Sequence, residues 1–192
     1  MRTILQYIRE RGSRVADVVS EFIGYAACPM PLQRATRAGE VSLDLTGYRQ
    51  FDSFSCGAIA AAMAVKYLRP RMSFERIYAA VSPSRRSGAG SGRVACALRS
   101  LGVRVETRTD LAFDAICAAI DDGSPVLVCF TTRDPDTDHW VVLYGYGRRP
   151  DSLFVAGRGI PFISRNRIAR RRFEHLWSPA GAGLVCAKRP SI

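Results

Sequence analysis

The chain has 192 residues, 47% of them hydrophobic, which suits one domain with a substantial core and an added arm. Its longest apolar run, near residues 58–65, is too short to span a bilayer, and charged residues at positions 9–11 exclude an apolar signal-peptide core at the N-terminus. We therefore expect a cytoplasmic protein.

The formal net charge of +11 comes almost entirely from arginine. Such an excess is typical of a protein with an acidic partner, a nucleic acid or an anionic membrane surface. It is equally typical of the composition of a high-GC bacterial genome. Because no nucleic-acid motif accompanies the charge, we favour the compositional interpretation and keep nucleic-acid binding as an alternative.

Six cysteines are spread irregularly along the chain, and only two histidines are present. There is no C-x-x-C pair and no Cys/His cluster with the spacing of a zinc site. In a cytoplasmic chain of this length, free thiols are expected rather than a disulfide framework. We expect neither a metal site nor a cofactor.

Residues 1–47 are predicted to form an N-terminal helical arm, and residues 48–192 to form the main domain. Ser13 is placed to cap a helix that runs to about Ala26 with one apolar face, and Cys28-Pro-Met-Pro ends it. The simplest role for that face is packing on the main domain, with binding to a membrane or a partner protein as the alternative. The arm would serve as a propeptide, a lid or an interaction segment.

In the main domain, the residue patterns predict mostly helices first and mostly strands later. Helices are expected at 56–68, about 73–81, about 92–101, 113–120 and 163–177. Strands are expected at 103–107, 126–130, 139–146, 152–156 and 183–188. A flexible basic loop at 84–93 lacks the Gly-Lys-Ser/Thr ending of a phosphate-binding loop. The order favours an α+β domain with a mainly antiparallel sheet over a doubly wound one.

The most informative stretch is Gln50-Phe-Asp-Ser-Phe-Ser-Cys56-Gly, which places a cysteine where a turn gives way to a helix. The unpaired N–H groups and the macrodipole at a helix N-terminus favour a thiolate, the nucleophilic form of cysteine. Gln50 is close enough to donate a side-chain N–H to an oxyanion beside the sulfur. The alternative is a buried cysteine on an alanine-rich core helix, because free cysteine is among the most buried residue types.

A cysteine nucleophile needs a base, which near neutral pH is usually histidine. His139 begins a hydrophobic strand after a polar loop, a position from which a side chain can face both a cleft and water. His175 lies in a basic helical segment and is expected to point to solvent or to pack locally. His139 is therefore the candidate base, with a purely structural histidine as the alternative.

Two motifs together, Gln50-x5-Cys56-Gly and His139-Trp-Val-Val-Leu-Tyr-Gly-Tyr, resemble those of the papain-like cysteine peptidases. Within that superfamily the chain is most similar to the C39-like peptidases of the bacteriocin-processing type. Segments 90–102, 116–128 and 163–177 resemble further parts of the family in the expected order, so the resemblance covers roughly residues 48–188. It implies a papain-like fold, in which a helix with the nucleophile at its N-terminus packs on an antiparallel sheet.

The resemblance also implies a role for three residues. Cys56 would attack a carbonyl carbon, and His139 would form an ion pair with it and later protonate the leaving amine. Gln50 and the backbone N–H of Cys56 would hold the oxyanion. The implied substrate is a peptide or protein, and the arginine excess favours an acidic one.

The sequence departs from the family at the group that orients the imidazole. The family usually carries an Asp at the end of the strand after the histidine strand, where this chain reads Val155-Ala-Gly157-Arg-Gly159. Asp151 would lie near the hairpin turn, about 25 Å away at about 3.3 Å per residue, so we exclude it. Asn166, Ser164, a backbone carbonyl or a water would then orient His139, or the Cys–His pair would act alone.

The sequence supports three hypotheses about function. The first is a cysteine peptidase or amidase that transfers an acyl group to water. The second is an acyltransferase that uses the same Cys–His pair and another acceptor. The third is a degenerate peptidase fold that binds a peptide, or nucleic acid through its arginines, without catalysis. The sequence leaves the oligomeric state and the identity of the substrate open.

Overall fold

The computed structural model describes residues 29–50, 52–109, 111–131, 138–148, 151–157, 167–177 and 183–188. The helix predicted in the arm lies outside the described residues. The described helices are α1 (Cys56–Leu68), α2 (Phe74–Val81), α3 (Ser91–Ser100), α4 (Phe113–Asp121) and α5 (Arg170–Trp177). The described strands are β1 (Pro29–Met30), β2 (Glu40–Ser42), β3 (Gly47–Tyr48), β4 (Val103–Arg108), β5 (Val126–Thr131), β6 (Asp138–Arg148), β7 (Asp151–Ala156), β8 (Arg167–Ala169) and β9 (Gly183–Lys188).

Helices α1 and α2 begin and end within about a residue of the positions that the sequence predicts. Helix α1 begins at Cys56 and ends at Leu68, before Arg69-Pro70, and every residue from Cys56 to Val65 is buried. Ser73 caps α2 by accepting the backbone N–H of Arg76. Helix α1 is therefore the central helix, against which α2, α3 and the sheet pack.

The strands form one large antiparallel sheet beside the central helix. Its order is β4-β9-β5-β6-β7-β8, and β2 pairs with the far end of β6. The last strand, β9, lies between β4 and β5, so the end of the described chain is inside the sheet. The predicted α+β class and the mainly antiparallel sheet are confirmed.

The C-terminal helix is shorter than the sequence indicated. The prediction of helix at 167–169 is wrong, because these residues form β8 and pair with β7, and α5 begins at Arg170. Alternate packing along an extended chain explains the strand. Ile168 is buried, whereas the guanidinium of Arg167 lies over the Phe154 ring. Residues 163–166 lie outside the described part of the chain.

The described part of the arm, residues 29–47, joins the large sheet through β2. Glu40 in β2 accepts a hydrogen bond of 2.8 Å from Arg167 in β8, and both side chains are largely buried. The hydroxyl of Tyr144 in β6 donates to the carbonyl of Gln33. These contacts fasten this segment to the end of the sheet that carries the β6–β7 turn.

Candidate active site

Cys56 is the first residue of α1, and only 8% of its surface is exposed. The backbone N–H groups of Gly57 and of Trp140, the latter in β6, lie close enough to its thiol to favour the charged form. The sulfur therefore lies where α1 meets the sheet, near one backbone N–H group from each.

Burial raises the pKa of the Cys56 thiol. The N–H groups of Trp140 and Gly57 act in the opposite direction, while the charge of Asp52 adds to the rise. The net direction is the reverse of the one expected from the helix position alone. The resting nucleophile candidate is accordingly a thiol at neutral pH, because burial outweighs the helix N-terminus.

His139 is the second residue of β6, and burial lowers the pKa of its imidazole to about 4. Its Nε2 atom is buried and has no hydrogen-bond partner among the described residues. The imidazole is therefore neutral at pH 7, and the lowered pKa also makes it a weaker proton acceptor than an ordinary histidine. The ion pair implied by the family resemblance is therefore not the favoured resting state of these two groups.

Trp140 links the two candidates along the chain, because it follows His139 directly and its backbone N–H lies near the Cys56 thiol. Its indole Nε1 donates to the carbonyl of Ala89 at 2.9 Å. A Cβ at Gly57 would lie 3.2 Å from the indole ring, so the glycine after the cysteine leaves room for the tryptophan. Within the described part of the chain, no hydrogen bond joins the imidazole Nε2 to the thiol.

Gln50 lies in the loop before α1, and only 7% of its surface is exposed. Its Nε2 donates to the backbone carbonyl of Asp52 at 2.9 Å. The structure thus places the amide in the same short loop that leads to Cys56. Its role as an oxyanion donor remains a prediction.

Sequence reasoning missed two residues of this site, Asp52 and Trp140. The Asp52 carboxylate accepts backbone N–H groups from Phe54 and Ser55, at 2.9 and 2.6 Å. The signal was available, because Asp commonly bonds the backbone two or three residues ahead in a turn. The contact of the Trp140 N–H with the thiol depends on tertiary packing, which no local pattern encodes.

The position expected for an orienting carboxylate cannot accept one without rearrangement. In the β6–β7 register Val142 pairs with Ala156, so Gly157 falls opposite Val141. A Cβ at Gly157 would lie 2.7 Å from Cγ1 of Val141. Because valine is branched at Cβ, the Val141 side chain would have to move to relieve this contact.

The other candidates for the orienting group differ in what the structure shows. Asp151 pairs with Arg148 at the turn end of the hairpin, and its carboxylate faces Arg170 at 3.7 Å, so its exclusion is confirmed. Asn166 and Ser164 lie outside the described residues. His175 is exposed on α5, as predicted.

No three His, Cys, Asp or Glu side chains of the described ranges cluster as metal ligands would. None of the helices described above is long and apolar enough to cross a membrane.

The sequence matches neither a protein-family model nor a curated protein. Its structure is similar to that of the peptidase domain of Streptococcus ComA, a bi-functional ABC transporter involved in a quorum-sensing pathway. That alignment has a TM-score of 0.57 and 19% identity, over 73% of this chain and 96% of that chain. It is also similar to a double-glycine-motif protease from an AMS/PCAT transporter, solved with its leader peptide. There the TM-score is 0.57 and the identity 17%, over 83% of this chain and all (100%) of that chain.

A third structural relative is a protein classed as a C39-like peptidase from Bacillus anthracis. It aligns with a TM-score of 0.56 and 16% identity, over 84% of this chain and 96% of that chain. Identities this low show a shared fold rather than a shared activity. The chain therefore has the α+β fold of C39 peptidase domains, and the fold expected from the two motifs is confirmed.

Proposed function

We propose that this protein is a cysteine-dependent hydrolase that cleaves a peptide or amide bond, with Cys56 as nucleophile, His139 as base and Gln50 as oxyanion donor. The observation that carries the proposal is the position of Cys56, buried at the start of α1 and near the backbone N–H of Trp140. It sets the nucleophile against the strand residue that directly follows the base. The fold shared with C39 peptidase domains supports the same reaction class.

The protonation states favour general-base activation over a preformed ion pair. The pKa of Cys56 is raised and that of His139 lowered to about 4, so both groups are neutral at pH 7. His139 takes the thiol proton as the sulfur attacks, which requires the imidazole to close on the thiol. Catalytic hydrogen bonds are often long in ligand-free sites and tighten when the substrate binds.

In this reaction a bond forms between the Cys56 sulfur and the carbonyl carbon of the substrate. The resulting oxyanion accepts hydrogen bonds from the Gln50 side chain and the backbone N–H of Cys56. The C–N bond then breaks, and the proton held by His139 goes to the leaving amine. Water attacks the thioester, the acid is released, and the thiol regains its proton.

A turn beside the nucleophile loop supports an acidic peptide as the substrate. Ser84 and Gly88 close this turn with two backbone hydrogen bonds of 2.8 Å, in the segment that the sequence predicted as a flexible loop. A Cβ at Gly88 would lie 3.1 Å from the carbonyl of Phe54, which shows how closely the turn packs on the nucleophile loop. The turn carries Arg85 and Arg86, both exposed and without an ion-pair partner in the described part of the chain. The C39-fold relative solved with a leader peptide adds support for a peptide.

The test combines thiol labelling with peptide cleavage. Cys96 is exposed and Cys28 lies outside the described residues, so both are first replaced in a Cys28→Ser/Cys96→Ser parent. Iodoacetamide labelling followed by mass spectrometry is expected to modify Cys56 first. Cys129 serves as an internal control, because it is as buried as Cys56 and burial raises its pKa to about 12.

The same parent and its Cys56→Ala variant are then incubated with a proteome-derived peptide library. New peptide termini are expected with the parent alone. An acylated amine in place of a new carboxyl terminus would identify an acyltransferase. No cleavage, together with Cys56 labelling no faster than Cys129, would contradict the hydrolase and favour the binding protein.

A further inference from the structure

The carboxylate of Asp52 takes no part in the chemistry proposed above. Asp52 lies between Gln50 and Cys56, and its Oδ2 atom is buried without a hydrogen-bond partner among the described residues. Burying a charged oxygen without a partner costs free energy. The contacts of the other polar atoms of Asp52 must therefore offset this cost.

Asp52 fixes the backbone immediately before the nucleophile. Its Oδ1 atom accepts the N–H of Ser55 at 2.6 Å and that of Phe54 at 2.9 Å. Ser55, the N-cap of α1, makes no side-chain capping bond, and the first turn of α1 contains no acidic residue. Asp52 thus fixes the backbone of the two residues that lead into α1.

The same residue also holds the oxyanion-donor candidate. Nε2 of Gln50 donates to the Asp52 carbonyl at 2.9 Å and lies 3.5 Å from Oδ1. Because the Gln50 amide is buried, this contact constrains where the amide points. One residue therefore contacts both the donor candidate and the helix entry that carries the nucleophile.

We infer that Asp52 is a positioning residue, which fixes the Gln50 amide relative to Cys56 at the start of α1. The inference rests on the function proposed above for those two residues. A misplacement of about 1 Å in such a group is enough to slow catalysis by roughly a hundredfold.

The charge of Asp52 gives a signature that a neutral turn residue would lack. After the larger effect of burial, this charge contributes to the raised pKa of Cys56, and it also acts on Tyr78 of α2. The N–H donors of Trp140 and Gly57 oppose it at the thiol, and Cys129 of β5 is the nearby second thiol. Removing the charge alone is therefore expected to change how Cys56 titrates.

Three variants in the Cys28→Ser/Cys96→Ser parent test the inference. Asp52→Asn keeps the Oδ1 acceptor but removes the charge, and Asp52→Ala removes both. Asp44→Asn is the control, because Asp44 is an exposed aspartate paired with Arg34. Each protein is tested for folding by thermal denaturation, for the pH profile of Cys56 alkylation, and for kcat and KM on a peptide that the parent cleaves.

Asp52→Asn is expected to move the alkylation profile to lower pH while retaining most of the parent's kcat. Asp52→Ala is expected to lower kcat by about tenfold to a hundredfold with KM little changed, and Asp44→Asn to alter neither. An unchanged kcat in Asp52→Ala, or an unmoved profile in Asp52→Asn, would overturn the inference. If Asp52→Ala fails to fold, the Asp52→Asn profile decides. The same profile tests the inference when the parent cleaves no peptide. A failure of the proposed function is then distinguished from a failure of the inference.

Discussion

At the scale of single residues, burial controls the resting state of the candidate site. Removal from water opposes charge on both groups, which raises the pKa of Cys56 and lowers that of His139 to about 4. A neutral thiol is less reactive than a thiolate, so the proposed mechanism requires the thiol to lose its proton during the reaction.

The lowered pKa of His139 predicts that stability depends on pH. The pKa is about 4 in the folded protein, against the ordinary value of 6.5 in the unfolded chain, so between these values only the unfolded chain binds the proton. Stability that is present above pH 6.5 is therefore lost as the pH falls to about 4. The loss is about 3–4 kcal/mol, since one pKa unit corresponds to about 1.4 kcal/mol.

Urea unfolding at several pH values between about 4 and 7 measures this loss. His139→Gln is expected to flatten the dependence in that window. His175→Gln is the matched control, because His175 is exposed, and it should keep the parental slope. A His139→Gln protein with the same slope as the parent would show that the imidazole is not buried as the structure has it.

At the scale of elements, a close approach at one glycine constrains how β2, β6 and β7 assemble. At Gly145 in β6, a Cβ would lie 2.6 Å from the Val41 carbonyl oxygen and 2.7 Å from the Phe154 ring. Strands β2 and β7 therefore approach β6 so closely at Gly145 that only a hydrogen atom fits in place of a side chain. The glycine in the motif Leu-Tyr-Gly-Tyr accordingly has a packing role.

We predict opposite effects for two glycine substitutions. Gly145→Ala should lower the free energy of unfolding by about 1–3 kcal/mol, because neither the Val41 backbone nor the packed Phe154 ring can yield freely. Gly92→Ala in α3, where a Cβ meets nothing within 4 Å, should be neutral or stabilising by up to about 1 kcal/mol. Urea denaturation checks both. An equal loss in the two variants would mean that glycine loss in general, and not the contact, sets the cost.

The arginine turn at 84–88 gives a prediction about specificity. Arg85→Glu/Arg86→Glu is expected to raise KM for acidic peptides by roughly tenfold, the effect of losing two exposed ion pairs of somewhat under 1 kcal/mol each. The kcat value should change little, since neither arginine belongs to the catalytic set. Arg71→Glu/Arg104→Glu, which removes the same charge from exposed positions on other elements, is the control. Equal KM changes in both double variants would point to overall charge instead.

At the scale of the whole molecule, some of the basic residues serve the fold itself. Arg167 binds Glu40 and covers Phe154, and Arg170 contacts both Glu174 and Asp151. These contacts give the basic segment a structural role that does not require nucleic acid. The remaining excess, a formal charge of +11, still opposes compaction by self-repulsion.

Self-repulsion predicts that salt stabilises the protein. Raising ionic strength from about 0.01 M to 1 M shortens the Debye length from about 30 Å to 3 Å, so the melting temperature should rise by a few degrees. Differential scanning calorimetry in NaCl measures this change. Arg71→Gln/Arg104→Gln, which lowers the net charge at two exposed sites, should show a smaller rise. A melting temperature that falls with salt would instead indicate that attractive ion pairs dominate.

The sequence by itself determined the class of fold, the helix that begins at Cys56 and the pairing of the histidine strand with its neighbour. These features depend on local periodicity, on Pro and Gly breakers and on hairpin register, all of which act between residues near in the chain. The tertiary structure alone decided that 167–169 form a strand, that β2 joins the sheet, and that the Trp140 N–H meets the thiol. It also decided the direction in which the pKa values of Cys56 and His139 shift, because desolvation depends on what packs around a group and not on its place in a helix or strand.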